Sequence, residues 1–456
     1  MSTNTPPGPD LERMTQAAEA GVAQAQFSLG LAWLYGDTGR PDPARAWDWL
    51  DRAQRQGVAE ARAALGTMCL SGQCEGREGA FDLERAVELL ESAHADDSVE
   101  AAYRLGTLKL TGCGVPADRQ GGAGLIETAA RRGHMLALND AAWCLEHGLG
   151  LARNPARALK AWQLAAEAGM PRGWFTLGVW LAQGRHVSAD PALARACLDK
   201  AARSDFPMAA ELRDELADEG ADAGRALGLQ VDPAAAAQAP RTRREVLSEA
   251  PRIEVLHDFV PVDARAHLIA RARPMIEPSR VLSDTGSVDR SRIRTSGETC
   301  LLPELLDVTA WHLLERLHEA MGIPMENGEP LIILQYTPGS EYQPHYDYFD
   351  PDRPGSQTAL RQGGQRTWTL LTYLNAVAGG GATAFPDLDI EVAPDPGSVL
   401  AFRNVDEAGG IEPRTLHAGL PVTAGEKWLA TRWIRERPFV AERGAGRPEP
   451  GSSTPE

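Results

Sequence analysis

The sequence predicts a multidomain chain: an all-α solenoid of stacked helical pairs, then a domain of short β-strands flanked by helices. Three observations predict it. The chain has 456 residues, too many for one ordinary hydrophobic core. Small-residue marks recur through the first half at a nearly constant spacing. From about Pro251 the pattern changes to short apolar runs cut by Gly/Pro turns. With 43% hydrophobic and 24% charged residues, the composition is that of globular protein.

The repeats occupy residues 11–218. Leu29-Gly30, Leu65-Gly66, Leu105-Gly106, Ala141-Ala142 and Leu177-Gly178 follow one another at steps of 36, 40, 36 and 36 residues. Gly21, Gly57, Gly133 and Gly169 end helices in the same phase, with Asp97 in the remaining slot. The long step coincides with the insertion Gln73–Gly79. A period of this size indicates helical pairs that bury their apolar faces only on their neighbours. From Ala25 to Gly36 the apolar residues fall at helical spacing,. Gly30 lets the paired helix approach closely, and Gly36 ends its helix with positive φ. Second helices start at Asp42-Pro43, Asn154-Pro155 and Asp190-Pro191, where Pro in the first turn sacrifices no hydrogen bond. Trp33, Trp47, Trp49, Trp143, Trp162, Trp174 and Trp180 read mostly as core residues.

These units, with their A-xx-G…A-xxx-LG-xx-Y/L-xx-G pattern and following Asp/Asn-Pro-x-x-Ala, resemble Sel1-like repeats, relatives of the tetratricopeptide family. The resemblance implies an array that binds a protein or peptide along a concave face; a spacer or dimerisation element is the alternative.

Residues 219–250, rich in Ala, Gly and Pro at their start, read as a hinge or irregular connector,. The second domain is therefore expected to be separable at about residue 240. The Gly/Pro/Ser/Glu-rich tail, 441–456, is expected to be disordered,. Cys69, Cys74, Cys113, Cys144, Cys197 and Cys300 include no CxxC pair and read as small buried residues in a reducing compartment, with a Cys69–Cys74 pairing left open. The first residues, MSTNTPPGPDLER, lack a basic region followed by an apolar run,. No apolar stretch reaches the roughly 18 residues of a membrane span. A cytoplasmic protein without membrane partners is expected. The net charge of −17 disfavours nonspecific nucleic-acid binding.

In the second half, Asp263 to about Met275 and Leu302 to Met321 read as helices. Leu331–Tyr336, Gln343–Asp347, Thr367–Leu374, Ala382–Phe385, Ser398–Phe402, Leu416–Leu420 and Lys427–Ile434 read as strands. Many short strands with turn signals indicate a sandwich or barrel, whose mouth is the place for a site. His345 and Asp347 stand two apart on one expected strand and so share a face. His417 follows 72 residues after His345 on another strand. Two imidazoles and a carboxylate can form the facial triad of a non-haem Fe(II) centre. His257, His267, His312 and His318 fall outside this pattern and read as surface or packing residues, as do the repeat histidines.

A lone His-x-Asp is a weak signal, but its context is specific. It closes the run Leu334-Gln335-Tyr336-Thr337-Pro338-Gly339-Ser340-Glu341-Tyr342-Gln343-Pro344-His345-Tyr346-Asp347. Gly380-Gly381-Ala382-Thr383-Ala384-Phe385-Pro386, His417-Ala418-Gly419, Gly425-Glu426-Lys427-Trp428 and Thr431-Arg432-Trp433 follow in order. With these motifs, residues 251–440 resemble the prolyl 4-hydroxylase family of Fe(II)/2-oxoglutarate dioxygenases, which implies a double-stranded β-helix (jelly-roll) core. The resemblance extends to Ser291–Ser296, similar to the family's substrate-side segment, and to Gly363-Gly364-Gln365-Arg366.

The resemblance also implies roles. His345, Asp347 and His417 would ligate iron. Lys427 would pair with the distal carboxylate of 2-oxoglutarate, and Tyr336 and Thr431 could donate to it. Tyr342, Arg366, Trp433 and Arg294 would lie near a substrate proline. Fe(II), 2-oxoglutarate and O₂, with ascorbate as reductant, would yield succinate, CO₂ and a hydroxylated ring. The loop Phe349–Gln365 is expected to act as a substrate lid; a passive surface loop is the alternative. The repeats in the same chain favour a cytoplasmic protein or peptide target over a secreted collagen. They would recruit it and raise its effective concentration at the iron. Two other functions are compatible with the sequence: a repeat scaffold whose oxygenase domain senses oxygen or iron, and a hydroxylase of a free amino acid or small molecule.

Overall fold

The structure is a computed structural model that describes residues 9–77, 80–216, 229–236, 242–282, 288–290, 294–353 and 355–439. The expected disordered tail and Ser291–Ile293 lie outside these residues, as do Glu78 and Gly79 of the insertion. The chain forms two compact units, one reaching to Asn154 and the other spanning Pro155–Ala441.

The first unit is a run of paired helices. Ala23–Tyr35 pairs with Pro43–Arg55, Ala59–Leu70 with Leu83–Ala95, and Val99–Thr111 with Arg119–Arg131. Asp42, Asp82 and Asp118 each cap a second helix, accepting from the backbone N–H three residues on. This satisfies a donor that the helix start would otherwise orphan. Gly30, Gly66 and Gly106 sit where helices nearly touch: a Cβ there would lie 2.7 Å from Leu50, 2.9 Å from Leu90 and 2.8 Å from Ile126. Successive pairs are also tied by polar contacts. The Glu60 carboxylate accepts from the Ser98 hydroxyl at 2.6 Å and the Val99 N–H at 3.0 Å. Trp143, Trp162 and Trp180 are buried, but Trp33, Trp49 and Trp174 are only half-buried. Arg45, Arg52 and Lys200 cover those three rings at 4.5, 4.5 and 3.9 Å, so cations close faces that core packing leaves open.

The second unit begins with the helices Pro155–Glu167, Pro171–Gln183, Pro191–Ala202 and Ala209–Glu215. The last three of them share an apolar cluster with the helix Val262–Ala272. Phe175, Val179, Leu198, Ala201 and Ala209 share one apolar cluster with Val262 and Ala266. Arg172 donates to the Thr309 hydroxyl at 2.5 Å, and Arg185 to the buried Asp263 carboxylate at 2.5 Å. The end of the repeat region therefore belongs to the same unit as the β-strands.

The expected connector, 219–250, is described only in part. Residues 217–228 and 237–241 lie outside the described residues. The part between them is held: Val231 bridges Val187, and the Asp232 N–H donates to the His186 carbonyl at 2.9 Å. Arg243–Glu249 is a strand paired with Arg252–His257. Its sequence RREVLSE carries charges because it lies at a sheet edge, where exposed backbone is protected by charged side chains.

Eight antiparallel strands form the major sheet, in the order Arg243–Glu249, Arg252–His257, Val399–Arg403, Arg366–Tyr373, Lys427–Arg435, Leu331–Tyr336, Gly297–Leu301 and Glu277–Pro278. A minor sheet has the order Ile390–Val392, Thr383–Phe385, His417–Gly419, Tyr342–His345. Tyr336, Leu371, Tyr373, Phe385, Phe402 and Leu429 lie among the core residues that both sheets supply, as in a jelly roll.

The helix expected from Leu302 starts at Val308. Pro303–Leu305 is a separate short turn, and Asp307 caps the helix by accepting from the Ala310 N–H. Among the described residues, no helix is long and apolar enough to cross a membrane. Cys69, Cys74, Cys144 and Cys197 are buried as expected, whereas Cys300 is exposed.

Candidate active site

The minor sheet brings the two distant histidines together. His345 ends the strand Tyr342–His345, and His417 opens its neighbour directly opposite. Asp347 was expected inside that first strand but lies two residues beyond its end. One ligand atom from each of the three residues falls within 4.8 Å of the others. His345 Nε2 and His417 Nε2 are each 3.7 Å from an Asp347 oxygen. Both Nδ1 atoms face carbonyls, Gln343 at 2.9 Å and Thr415 at 3.0 Å. Carbonyls only accept, so the ring protons sit on Nδ1 and both Nε2 lone pairs face the cluster.

Burial, reinforced by His417, pushes the His345 imidazole down to about 3, which keeps it neutral and able to ligate. Burial alone would raise the Asp347 carboxyl, but His417, His345 and Arg366 outweigh it and hold it at about 2. The Thr369 hydroxyl donates to Asp347 Oδ2 at 2.7 Å and accepts from Asn404 at 2.9 Å. Tyr342 stacks on the His345 ring at 3.4 Å. Two ring nitrogens and one ionised oxygen on one side of a point suit a divalent transition metal with positions left open.

The cavity beside the cluster has about 410 Å³ of empty volume, counted together with the space by which it opens to solvent. The strand Lys427–Arg435 sends alternate residues to it: Lys427, Leu429, Thr431 and Trp433, as the two-residue strand period dictates. Lys427 is 2% exposed. Its ammonium donates to the Gly381 carbonyl at 2.6 Å and has no acidic partner among the described residues. Burial pulls its pKa down to about 8. The buried Thr431 hydroxyl has no hydrogen-bond partner among the described residues. Tyr336 stands opposite Lys427 in register. Burial pushes its hydroxyl up to about 12, so it remains a donor at neutral pH. A buried cation without an acid, in one cavity with an unused hydroxyl, fits a carboxylate that arrives from outside.

All the sequence-expected site residues line this cavity except Arg366. Arg294 pairs with Glu298 and stands 5.4 Å from the Tyr342 ring. The buried Trp433 indole N–H has no partner among the described residues. Arg366 instead turns to Glu329, donating to both carboxylate oxygens at 2.7 and 2.8 Å, and lies 3.8 Å from the Trp433 ring. It therefore stands behind the cavity wall rather than in the cavity. Sequence reasoning missed Thr369, Asn404 and Glu329. Thr369 was within reach, because it shares a strand parity with Leu371; no local pattern marks the other two.

A family model of the 2OG-Fe(II) oxygenase superfamily matches residues 331–435. A Sel1 repeat model matches 23–58, 59–93, 99–134, 136–170 and 175–206. Probable prolyl 4-hydroxylase 10 of Arabidopsis thaliana is 35% identical over 211 residues, 42% of this chain and 71% of the relative. Prolyl 4-hydroxylase 1 of the same plant is 36% identical over 208 residues, 42% and 72% of the two chains. The solved viral collagen prolyl hydroxylase of Paramecium Bursaria Chlorella virus-1, a 2OG complex, is 28% identical, covers 40% of this chain and 95% of its own, and has a TM-score of 0.31. Identity of a third over more than two thirds of each plant relative places the chain in the prolyl 4-hydroxylase family, as a 2-oxoglutarate-dependent dioxygenase joined to Sel1 repeats.

Proposed function

We propose that the protein hydroxylates prolyl residues of a cytoplasmic protein or peptide that the Sel1 repeats recruit. In this reading His345, Asp347 and His417 hold Fe(II), while Lys427, Thr431 and Tyr336 hold the far carboxylate of 2-oxoglutarate. The observation that carries it is Lys427: a buried ammonium without an acid, in one cavity with the His-Asp-His cluster. When bound, Fe(II), 2-oxoglutarate and O₂ supply the oxidising chemistry, with ascorbate as reductant, and release succinate and CO₂. The chain's own residues do the rest. Thr369 orients the Asp347 carboxylate. Leu334, Leu371 and Leu429 keep water from the cavity,. Tyr342, Trp433 and Arg294 form the wall that a substrate ring would meet.

Succinate measured with Fe(II), ascorbate and 2-oxoglutarate, with and without proline-containing peptides, tests this directly. Stimulation by peptides is expected. Stimulation by free proline alone would overturn the peptidyl reading, and absence of turnover with iron bound would overturn the assignment of the site.

Lys427→Ala is expected to raise the KM for 2-oxoglutarate by about 10- to 100-fold, the value of a hydrogen bond to a charged group, with a smaller change in kcat. The wild-type protein carries a pH signature of the same residue. Below pH 8 Lys427 is already charged, so the cosubstrate binds without taking up a proton. Between about 8 and the ordinary lysine value of 10.5, binding must recharge it, and the KM should climb by up to about tenfold per pH unit. A KM that stays flat across that range would remove Lys427 from the role.

A further inference from the structure

Glu329 touches neither the metal cluster nor the cavity, yet it joins several parts of the site. Its carboxylate accepts from Arg366 Nε at 2.7 Å and Nη2 at 2.8 Å, and from Arg435 Nη1 at 2.9 Å. Its backbone N–H donates to the Trp433 carbonyl at 2.8 Å. Arg366 carries the connection inward: its guanidinium lies 3.8 Å from the Trp433 ring, and Nη1 donates to the Asp347 carbonyl at 3.4 Å. Arg435 carries it outward, donating to the Ala359 carbonyl. Ala359 belongs to the short helix Ser356–Arg361 within the loop Phe349–Gln365.

Two features turn this cluster toward the loop. A register shift between Ile434 and Arg435 leaves Trp433 opposite Thr369 but Arg435 opposite Arg366. The bulge thereby re-aims Arg366, which an unbroken two-residue period would send to the other face of the sheet. The loop's ends are also clasped. Gln365 donates to the Phe349 carbonyl at 2.7 Å and accepts from the Phe349 N–H at 2.7 Å. Both guanidinium groups then stand 4.7 Å from the Phe349 ring.

We infer that Glu329 is a positioning residue of the hydroxylation reaction: through Arg366 and Arg435 it latches the Phe349–Gln365 loop to Asp347 and Trp433. The inference rests on the functional reading above. The logic is that of a shared counter-charge. Burial works against ionisation of Glu329, but Arg366 and Arg435 outweigh it and hold its carboxyl below the usual range. Without that charge two buried guanidinium groups repel each other across a small gap. One of them must leave, and either departure loosens the loop or the metal ligand. The loop's position and the site's geometry thus depend on one group.

The test is Glu329→Gln in the full chain, read by hydrogen exchange without substrate and by kinetics with 2-oxoglutarate. Amide exchange within 349–365 is expected to quicken by about tenfold or more, while exchange in the strand 331–336 stays unchanged. kcat for succinate formation should fall by about tenfold or more, with the KM for 2-oxoglutarate within about twofold. Arg435→Gln removes only the outward arm and keeps the question open to test if Glu329→Gln does not fold. It should quicken exchange in 356–361 and leave exchange in the strand 331–336 as it was. Unchanged loop exchange in the folded variants, or exchange that quickens equally in the strand and the loop, would overturn the latch. Failure of the wild-type protein to form succinate would instead count against the functional reading, and the exchange result would still decide the latch.

Discussion

Asp347→Ala is expected to lower metal-dependent succinate formation by more than about 100-fold. The bound arises from the surroundings of the site, since removing a partner that merely orients a metal ligand costs about 10- to 100-fold in affinity or activity, and a ligand must exceed its support. Asp347 is the only carboxylate of the cluster, and both histidine Nε2 atoms point at it from 3.7 Å. Without it only the two imidazoles remain, that of His345 held uncharged by burial and by its neighbour. They offer a dication no charge compensation. Thr369→Val, which deletes the bond to Asp347 Oδ2, should fall within the 10- to 100-fold range and so provide the scale. Parallel titration with Co(II), followed by absorbance, separates loss of metal from loss of chemistry. Asp347→Ala retaining more than a tenth of wild-type turnover would show that the metal lies elsewhere.

The second large effect concerns where the chain can be cut. Deleting residues 1–154 leaves the second unit entire and should preserve folding and peptide-independent succinate formation. Deleting residues 1–240 should not. It strips Phe175, Val179 and Leu198 from Val262 and Ala266 and removes Arg185 and Arg172 from Asp263 and Thr309. Uncovering that face and losing two charge-assisted bonds amounts to about 3–5 kcal/mol. Against a net stability of about 5–15 kcal/mol, this should lower the Tm by about 6 °C or more and expose an apolar patch prone to association. Circular dichroism melting and size-exclusion chromatography of the two truncated chains decide it. Equal melting temperatures would return the boundary to the connector.

The repeats and the site were readable for different reasons. Asp42 and Asp118 follow their small-residue marks by 12 residues and Asp82 by 16, the difference lying in the insertion, and each caps the helix it starts. Local chemistry repeated along a chain shows as period. His345 and Asp347 were legible as a pair because a strand assigns faces by parity; His417, Lys427 and Thr431 came from motifs that follow in order, and the structure sets all five around one cavity. What stayed hidden was non-local. Arg366 was expected near a substrate proline; in the structure its guanidinium is held by a glutamate 37 residues earlier, a pairing that no local pattern announces. The attachment of the last helices to the β-domain depends on Val262 and Ala266, which look like any other helix positions. The edge strand Arg243–Glu249 follows the Ala/Gly/Pro-rich stretch directly and pairs with Arg252–His257, so a connector drawn from that composition ran on through it.

The strand Lys427–Arg435 has one more consequence. Its alternate side chains Lys427, Leu429, Thr431 and Trp433 line the cavity, and Arg435 reaches Glu329, so it works as a ruler along which the cavity is marked off. Substitutions at single marks should have graded effects. Insertion or deletion of one residue between Val422 and Lys427 is another matter, because a shift of one place exchanges the two faces of the strand. Lys427, Thr431 and Trp433 would leave the cavity together, and Trp428, Ala430 and Arg432 would enter it. In any population of variants of this chain, length changes at that turn should be far rarer than amino-acid changes along the strand.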